Sequence, residues 1–176
     1  MPKVVKAIKF TAVLDSSGNG SGWHFVGVPR EIGERFPALD GKSRRVVCKL
    51  NGKEEFQCAL MPSSGEFYIM VNKEVRTRLG IFSGNSVEVL LKLDDSKYGM
   101  TMPAELEEVM RQDPEGDRLF HALTPGKQRS LMWQVSKGKD VDLRIHRALI
   151  IMEHLKDNVG KVDGEKLYRE MKRPVF

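Results

Sequence analysis

Apolar and polar residues alternate along the first half of the chain, and the pattern lengthens to a helical period in the second. Ile8, Phe10, Ala12 and Leu14 alternate with polar or small neighbours, as do Val46, Cys48 and Leu50. The same holds for Phe56, Cys58 and Leu60, and for Val87, Val89, Leu91 and Leu93. A period of two turns one face of an extended chain to a core, so each run predicts a half-buried strand.

The strands belong to a duplicated unit. Residues 28–50 and 71–93 align without a gap at an offset of 43, with identities that include Val28/Val71, Glu31/Glu74, Arg35/Arg78, Gly41/Gly84 and Leu50/Leu93. Upstream, His24, Val26 and Val28 lie over Phe67, Ile69 and Val71. Each copy reads strand, short helix, tight turn, strand. Pro29 suits the start of the first helix, Gly80 a C-cap of the second, and Gly41 and Gly84 the turns back into strands. One copy cannot bury its own apolar face, whereas two related by a pseudo-twofold close a barrel and leave no exposed edge. Residues 3–94 are therefore expected to form a six-stranded barrel with two short helices. Asp15–Gly22 is expected to be a polar hairpin tip.

Asn51-Gly52 is a two-residue hairpin signal. With Leu50 opposite Lys53, Cys48 falls opposite Glu55 and Cys58 opposite Arg45. The thiols are then not cross-strand partners but small apolar barrel residues, which suits a reducing compartment.

Residues 96–102 read as a linker, giving domains at 1–95 and 103–176. Beyond it, Pro103–Gln112 predicts a helix, Asp117 a cap for Arg118–Leu123, and Thr124-Pro125 the start of Gly126–Ser136. Asp140 caps Val141–Asn158, whose expected buried stripe is Val141, Ile145, Ala148, Leu149, Met152 and Leu155. Ile150 and His154 point away from that stripe and are expected at the surface. Asp163–Lys172 is expected as a frayed last helix. Trp23 and Trp133 are expected in core or interface packing.

Composition narrows the classes. The 176 residues are 40% hydrophobic and 30% charged, as in a folded soluble protein. No apolar run approaches the roughly 20 residues of a membrane span, so no membrane insertion is expected. The start, MPKVVKAIKF, lacks a secretory core, which points to the cytoplasm. The net charge of +5 permits an anionic partner without demanding one.

These residues carry a resemblance. Trp23-His24-Phe25-Val26-Gly27-Val28-Pro29, Leu50-Asn51-Gly52, Leu60-Met61-Pro62, Gly65-Glu66-Phe67-Tyr68 and Leu79-Gly80 resemble the DUF1905 family. That resemblance implies a double-split β-barrel, similar to the swapped-hairpin barrel of the AbrB/MazE group. Where that family usually has Gly-Asp, this chain has Gly84-Asn85. The second part is similar to the YdeI/OmpD-associated, bacteriocin-protection family at Arg129, Gly138-Lys139, Leu143-Arg144, Arg147 and Leu155. Gly138 replaces that family's usual alanine and Leu143 its threonine. The combined expectation is an α+β protein: a six-stranded double-split β-barrel built from a duplicated β-α-β unit, followed by a small all-α domain. Neither resemblance implies an established activity.

The chemistry-bearing patterns are sparse. Gly18-Asn19-Gly20 lies between strands, where no helix N-terminus can cradle a phosphate. His146 and His154 are eight apart on one helix and cannot share a metal. Ser136 near Lys137 and Lys139 lacks a nucleophile's orienting acid, and Glu54 and Glu55 alternate faces of a strand. The chain is thus expected to be no enzyme and to need no cofactor and no metal. The candidate site is a basic cluster: Arg129, Lys137, Lys139, Arg144 and Arg147, with Lys127 beside it. It could receive a phosphate, a carboxylate or an acidic protein. Alternatively, Arg144 and Arg147 pair with Asp140, Asp142 or other acids and hold the helices together. The functional expectation is a non-enzymatic interaction protein for an acidic partner or small anion, linked through its resemblance to bacteriocin or envelope-stress resistance. A nucleic-acid-binding barrel is less favoured, because residues 1–95 carry 14 Lys and Arg against 11 Asp and Glu, a surplus of only +3. A third alternative is a small-anion pocket between barrel and helices.

Overall fold

The computed structural model describes residues 5–18, 22–38 and 44–175. The chain divides into two compact units, Met1–Gly99 and Met100–Phe176. The turn expected at Gly41 and the tip expected at Asn19-Gly20 lie outside the described residues.

In the first unit the order is β1 (Ile8–Ser16), β2 (His24–Val28), α1 (Arg30–Gly33), β3 (Arg44–Leu50), β4 (Glu54–Ser63), β5 (Glu66–Met70), α2 (Lys73–Leu79) and β6 (Ser86–Leu93). The strands close a barrel in the order β1-β2-β5-β4-β3-β6, antiparallel throughout. The duplication is visible in the register. Val26 pairs with Ile69 across β2–β5, and Cys48 pairs with Leu91 across β3–β6. Each is a pair of counterparts at offset 43, so a pseudo-twofold axis passes through both pairs, and all four side chains are fully buried. Leu14, Val46, Leu50, Val87, Val89 and the helix-borne Val75 complete the interior with Phe36. Each fully buried Leu, Val or Phe contributes roughly 1.5–3 kcal/mol relative to exposure.

Local chemistry ends the elements. Asn72 Oδ1 accepts from the Val75 N–H at the start of α2, and Gly80, at φ 63°, ends it with its N–H on Thr77 O. In the Gly84-Asn85 turn, Asn85 Oδ1 accepts from the Phe82 N–H at 2.8 Å. The side-chain carbonyl thus supplies the acceptor oxygen that an aspartate would supply here.

The β3–β4 register differs from expectation. Leu50 pairs with Glu54, Cys48 with Phe56, and Cys58 with Val46. Lys53 joins the turn as a third loop residue, donating its N–H to Leu50 O at 3.0 Å. The two-residue loop would have set the charged Glu55 beside buried Cys48; a one-residue slip exchanges it for Phe56. Asn51 also fastens the hairpin to β6, exchanging bonds with the Glu88 backbone at 2.9 Å.

Hydrogen bonds tie residues 94–99 to the barrel strands. Buried Asp94 accepts from Ser96, Gln57 Nε2 reaches Asp94 and Ser96, and Arg45 donates to Gly99 O at 2.9 Å.

The described residues of the second unit form α3 (Ala104–Gln112), α4 (Pro114–His121), α5 (Pro125–Ser136), α6 (Val141–Asp157) and α7 (Gly164–Glu170). Asp113, not Asp117, caps α4, because Pro114 supplies the first helical position and Asp113 Oδ1 accepts from the Gly116 N–H. Thr124 precedes α5 without a side-chain cap bond, while Asp140 caps α6 through the Leu143 N–H. Helix α6 is central, packing against α3, α4, α5 and α7. A helix surrounded by others buries several faces, so the single expected stripe is corrected. Val141 and Leu149 are exposed, whereas Ile150, Ile151 and His154 are buried with Ala148, Met152 and Leu155. Helix α7 is anchored: Asp163 caps it through the Lys166 N–H, and Leu167 and Glu170 are buried.

Candidate functional site

The five predicted basic residues separate into two groups. Arg144 and Arg147 are half-buried staples. Arg144 donates from Nε to Glu105 Oε1 at 2.8 Å and from a terminal nitrogen to Gly138 O at 3.1 Å. Arg147 donates to Gln134 O at 2.8 Å near the end of α5. The acid that Arg144 meets is Glu105 of α3 rather than Asp140 or Asp142. Its guanidinium and the Glu105 backbone N–H hold the Glu105 carboxyl below the usual carboxylate range. Gly138 makes this geometry possible, since a Cβ there would lie 2.6 Å from Arg144 Cγ and 3.0 Å from its backbone N. Arg129 is half-buried on α5 and already engaged. Lys137 and Lys139 are exposed, and Lys137 Nζ sits 3.7 Å above the Trp133 ring. The basic positions therefore do not converge on one pocket; two lysines face solvent, one of them over an aromatic ring.

The barrel carries a site that the sequence reading missed. On the outer face of the β2–β5 pair, Phe25 lies opposite Met70 and Gly27 opposite Tyr68. Phe25 and Tyr68 are counterparts in the duplication, and their rings meet edge to face at 5.8 Å. Trp23 stands beside them 66% exposed, and Glu66 completes the wall of a groove of about 520 Å³. An atom built at the Cβ position of Gly27 meets nothing within 4 Å, so the groove floor is open there. Trp23 is 66% and Trp133 50% exposed, so neither packs in the core of its unit, the first of the two roles expected of them. A second hollow of about 440 Å³ shares Phe25, Gly27 and Glu66 and adds Asp15.

The electrostatics of this face are one-sided. Glu66 Oε2 accepts from the Arg30 N–H at 2.7 Å, and the Arg30 side chain is occupied by Glu34. Aromatic faces carry negative charge density, and two carboxylates stand by them, so the surface attracts cations. The signal was available in the sequence. Phe25 and Gly27 flank Val26, and Tyr68 and Met70 flank Ile69; both intervening residues fill the core, which turns their neighbours outward.

Among the described residues no group of three or more His, Cys, Asp or Glu is placed to hold a metal ion. Nor is any described helix long and apolar enough to cross a membrane.

Two family models match the chain. Residues 10–91 match a domain of unknown function, DUF1905, and residues 99–158 match the family described as bacteriocin-protection, YdeI or OmpD-associated. No curated protein matches it.

Proposed function

From a chain that carries a DUF1905 domain followed by a YdeI/OmpD-associated domain, we propose a non-enzymatic binding protein of the cytoplasm whose barrel receives its ligand in the β2–β5 groove. The observation that carries this reading is Trp23, two-thirds exposed beside the Phe25–Tyr68 pair and Glu66. An indole left in water gives up burial energy with no packing in return, a feature of surfaces awaiting a partner. The ligand class that matches is a cationic group on an apolar carrier, such as a methylated amine or a basic peptide side chain. Phosphate-rich nucleic acid suits this face poorly, because Glu66 and Asp15 would repel it. A part in protection against bacteriocins, which the second family's description names, is compatible with action by binding alone.

The test follows the Trp23 indole N–H by NMR while tetramethylammonium, an arginine ester or acetate is added. The cations should shift it saturably and acetate should not, and Tyr68→Ala should weaken the response. A signal indifferent to both cations would remove the reading.

A second reading keeps the acidic partner for the helical unit. It rests on Lys137 and Lys139, which stay at the surface while Arg144 and Arg147 are consumed internally. Reversing both lysines should abolish recovery of an acidic partner at unchanged Tm; recovery that persists would end it.

A further inference from the structure

The duplication makes an internal control, because whatever the fold requires at one position it requires at the counterpart. Beneath α1 the requirement is met by close apolar packing. The Phe67 ring lies against Gly33 so tightly that a Cβ there would fall 2.2 Å from the ring. At offset 43 the counterparts of Phe67 and Gly33 are His24 and Arg76. The site under α2 thus has an imidazole and a guanidinium where its counterpart under α1 has a ring on a glycine, at a place where the fold itself is satisfied by hydrocarbon.

Neither replacement is compensated locally. His24 Nδ1 and Arg76 Nε are buried with no hydrogen-bond partner among the described residues. Arg45 and Arg147 also bury an unpaired Nε, but each donates from another nitrogen to a carbonyl. No bond or ion pair of the Arg76 side chain occurs among the described residues. A buried Nε–H without an acceptor costs free energy.

Both residues line one cavity of about 330 Å³ between β2 and α2, with Lys73, Ile81, Phe82 and Ser83. Among the described residues no carboxylate lines it. The nearby Glu74 is engaged with Arg78 on the same helix. Ser83 brings a hydroxyl, shared at 3.1 Å with Ser16, and the Phe82 ring stands 72% exposed. Two cations, an imidazole, a hydroxyl and an aromatic wall form the complement of an oxyanion attached to an apolar body.

We propose that the barrel holds a second, oxyanion-binding site built by His24, Lys73 and Arg76, for a small carboxylate or phosphate ester whose apolar part lies against Ile81 and Phe82. It is distinct from the β2–β5 groove in residues and in charge, and it stands whether or not that groove binds cations.

The experiment titrates the full chain with phenyl phosphate and with benzoate, by calorimetry and by the Arg76 Nε–H signal in NMR. Saturable binding of either compound with movement of that signal is expected, and the compound that binds tells phosphate from carboxylate. Arg76→Gln should weaken binding about tenfold or more, equivalent to about 1.4 kcal/mol, without lowering the Tm of the unliganded protein. Should that variant fail to fold, His24→Phe, which installs the residue type found at the counterpart position 67, makes the same comparison. No saturable binding of either compound, or binding equal in the foldable variant and the parent, overturns the proposal. Tetramethylammonium should leave the Arg76 signal still, so failure here and failure at the groove are separable.

Discussion

Arg144 and Glu105 meet Nε to Oε1 at 2.8 Å, joining α6 to α3 across 39 residues of sequence. Arg144→Ala should lower stability by about 1–3 kcal/mol, the cost of leaving a part-buried charged acceptor unmatched, toward the lower end because the pair is partly exposed. The sign of its pH dependence follows from the depressed Glu105 pKa. The folded state resists protonating this carboxyl more than the unfolded chain does. The contribution is therefore complete above the ordinary glutamate value of about 4.3 and lost as pH falls through the lower folded value. Denaturant titrations between neutral and acid pH should show a shallower acid loss for Glu105→Gln than for the parent. Lys139→Glu, on an exposed residue, should leave the same curve unmoved.

Gly138 should refuse the alanine that the related family usually carries. A methyl group 2.6 Å from Arg144 Cγ and 3.0 Å from its backbone N must displace one of them. Gly138→Ala is expected to cost about 1–3 kcal/mol, the range for overpacking a filled site. Gly138→Ala combined with Arg144→Ala should cost less than the sum of the two changes, since removing Cγ contacts relieves the clash. Thermal melts of the three variants provide the comparison.

The barrel was legible because strand alternation and duplication report the same face twice. Val26, Ile69, Val46 and Val89 could be assigned to the interior before any coordinate. The β3–β4 register was not, because turn length depends on which residue a charged neighbour must escape, and Glu55 decides that through Cys48 across the sheet. Helix α6 misled for a related reason: its burial is set by four surrounding helices, which its own periodicity cannot announce. In the basic cluster the sequence placed Lys137 and Lys139 in the connection between two helices and Arg144 and Arg147 on the second of them. Which of them spend their charge internally was fixed by Glu105 and two backbone carbonyls, all distant in sequence or featureless in it.

Cys58 should be a slow nucleophile despite its partial exposure. A hydrogen bond with the diagonal neighbour Cys48, followed by burial, pushes its pKa well above the ordinary thiol value. At neutral pH the thiolate is scarce, and alkylation by iodoacetamide should lag far behind that of the unfolded chain. Here the folded pKa is raised, so the associated stability is intact below the unfolded value of about 8.5 and declines as pH climbs toward the folded one. Cys58→Ala should flatten that alkaline decline. A thiol alkylated equally fast in native and unfolded protein would contradict the buried pairing.

His154 and Glu170 fix the last helix through a defined tautomer. The imidazole is 1% exposed, and its Nε2 accepts the Asp163 N–H at 3.1 Å. The ring proton therefore resides on Nδ1, which donates to Glu170 Oε2 at 2.7 Å. Asp163 in turn caps α7, so one side chain of α6 holds both ends of that helix. Glu170→Ala strips the acceptor from a buried N–H and should cost about 1–3 kcal/mol, felt first as faster amide exchange in α7. Glu170→Gln retains a carbonyl acceptor and should cost less. Nitrogen-15 shifts of the His154 ring give the direct check: a proton on Nε2 in the native protein would refute this arrangement, because two N–H groups would then face each other at Asp163.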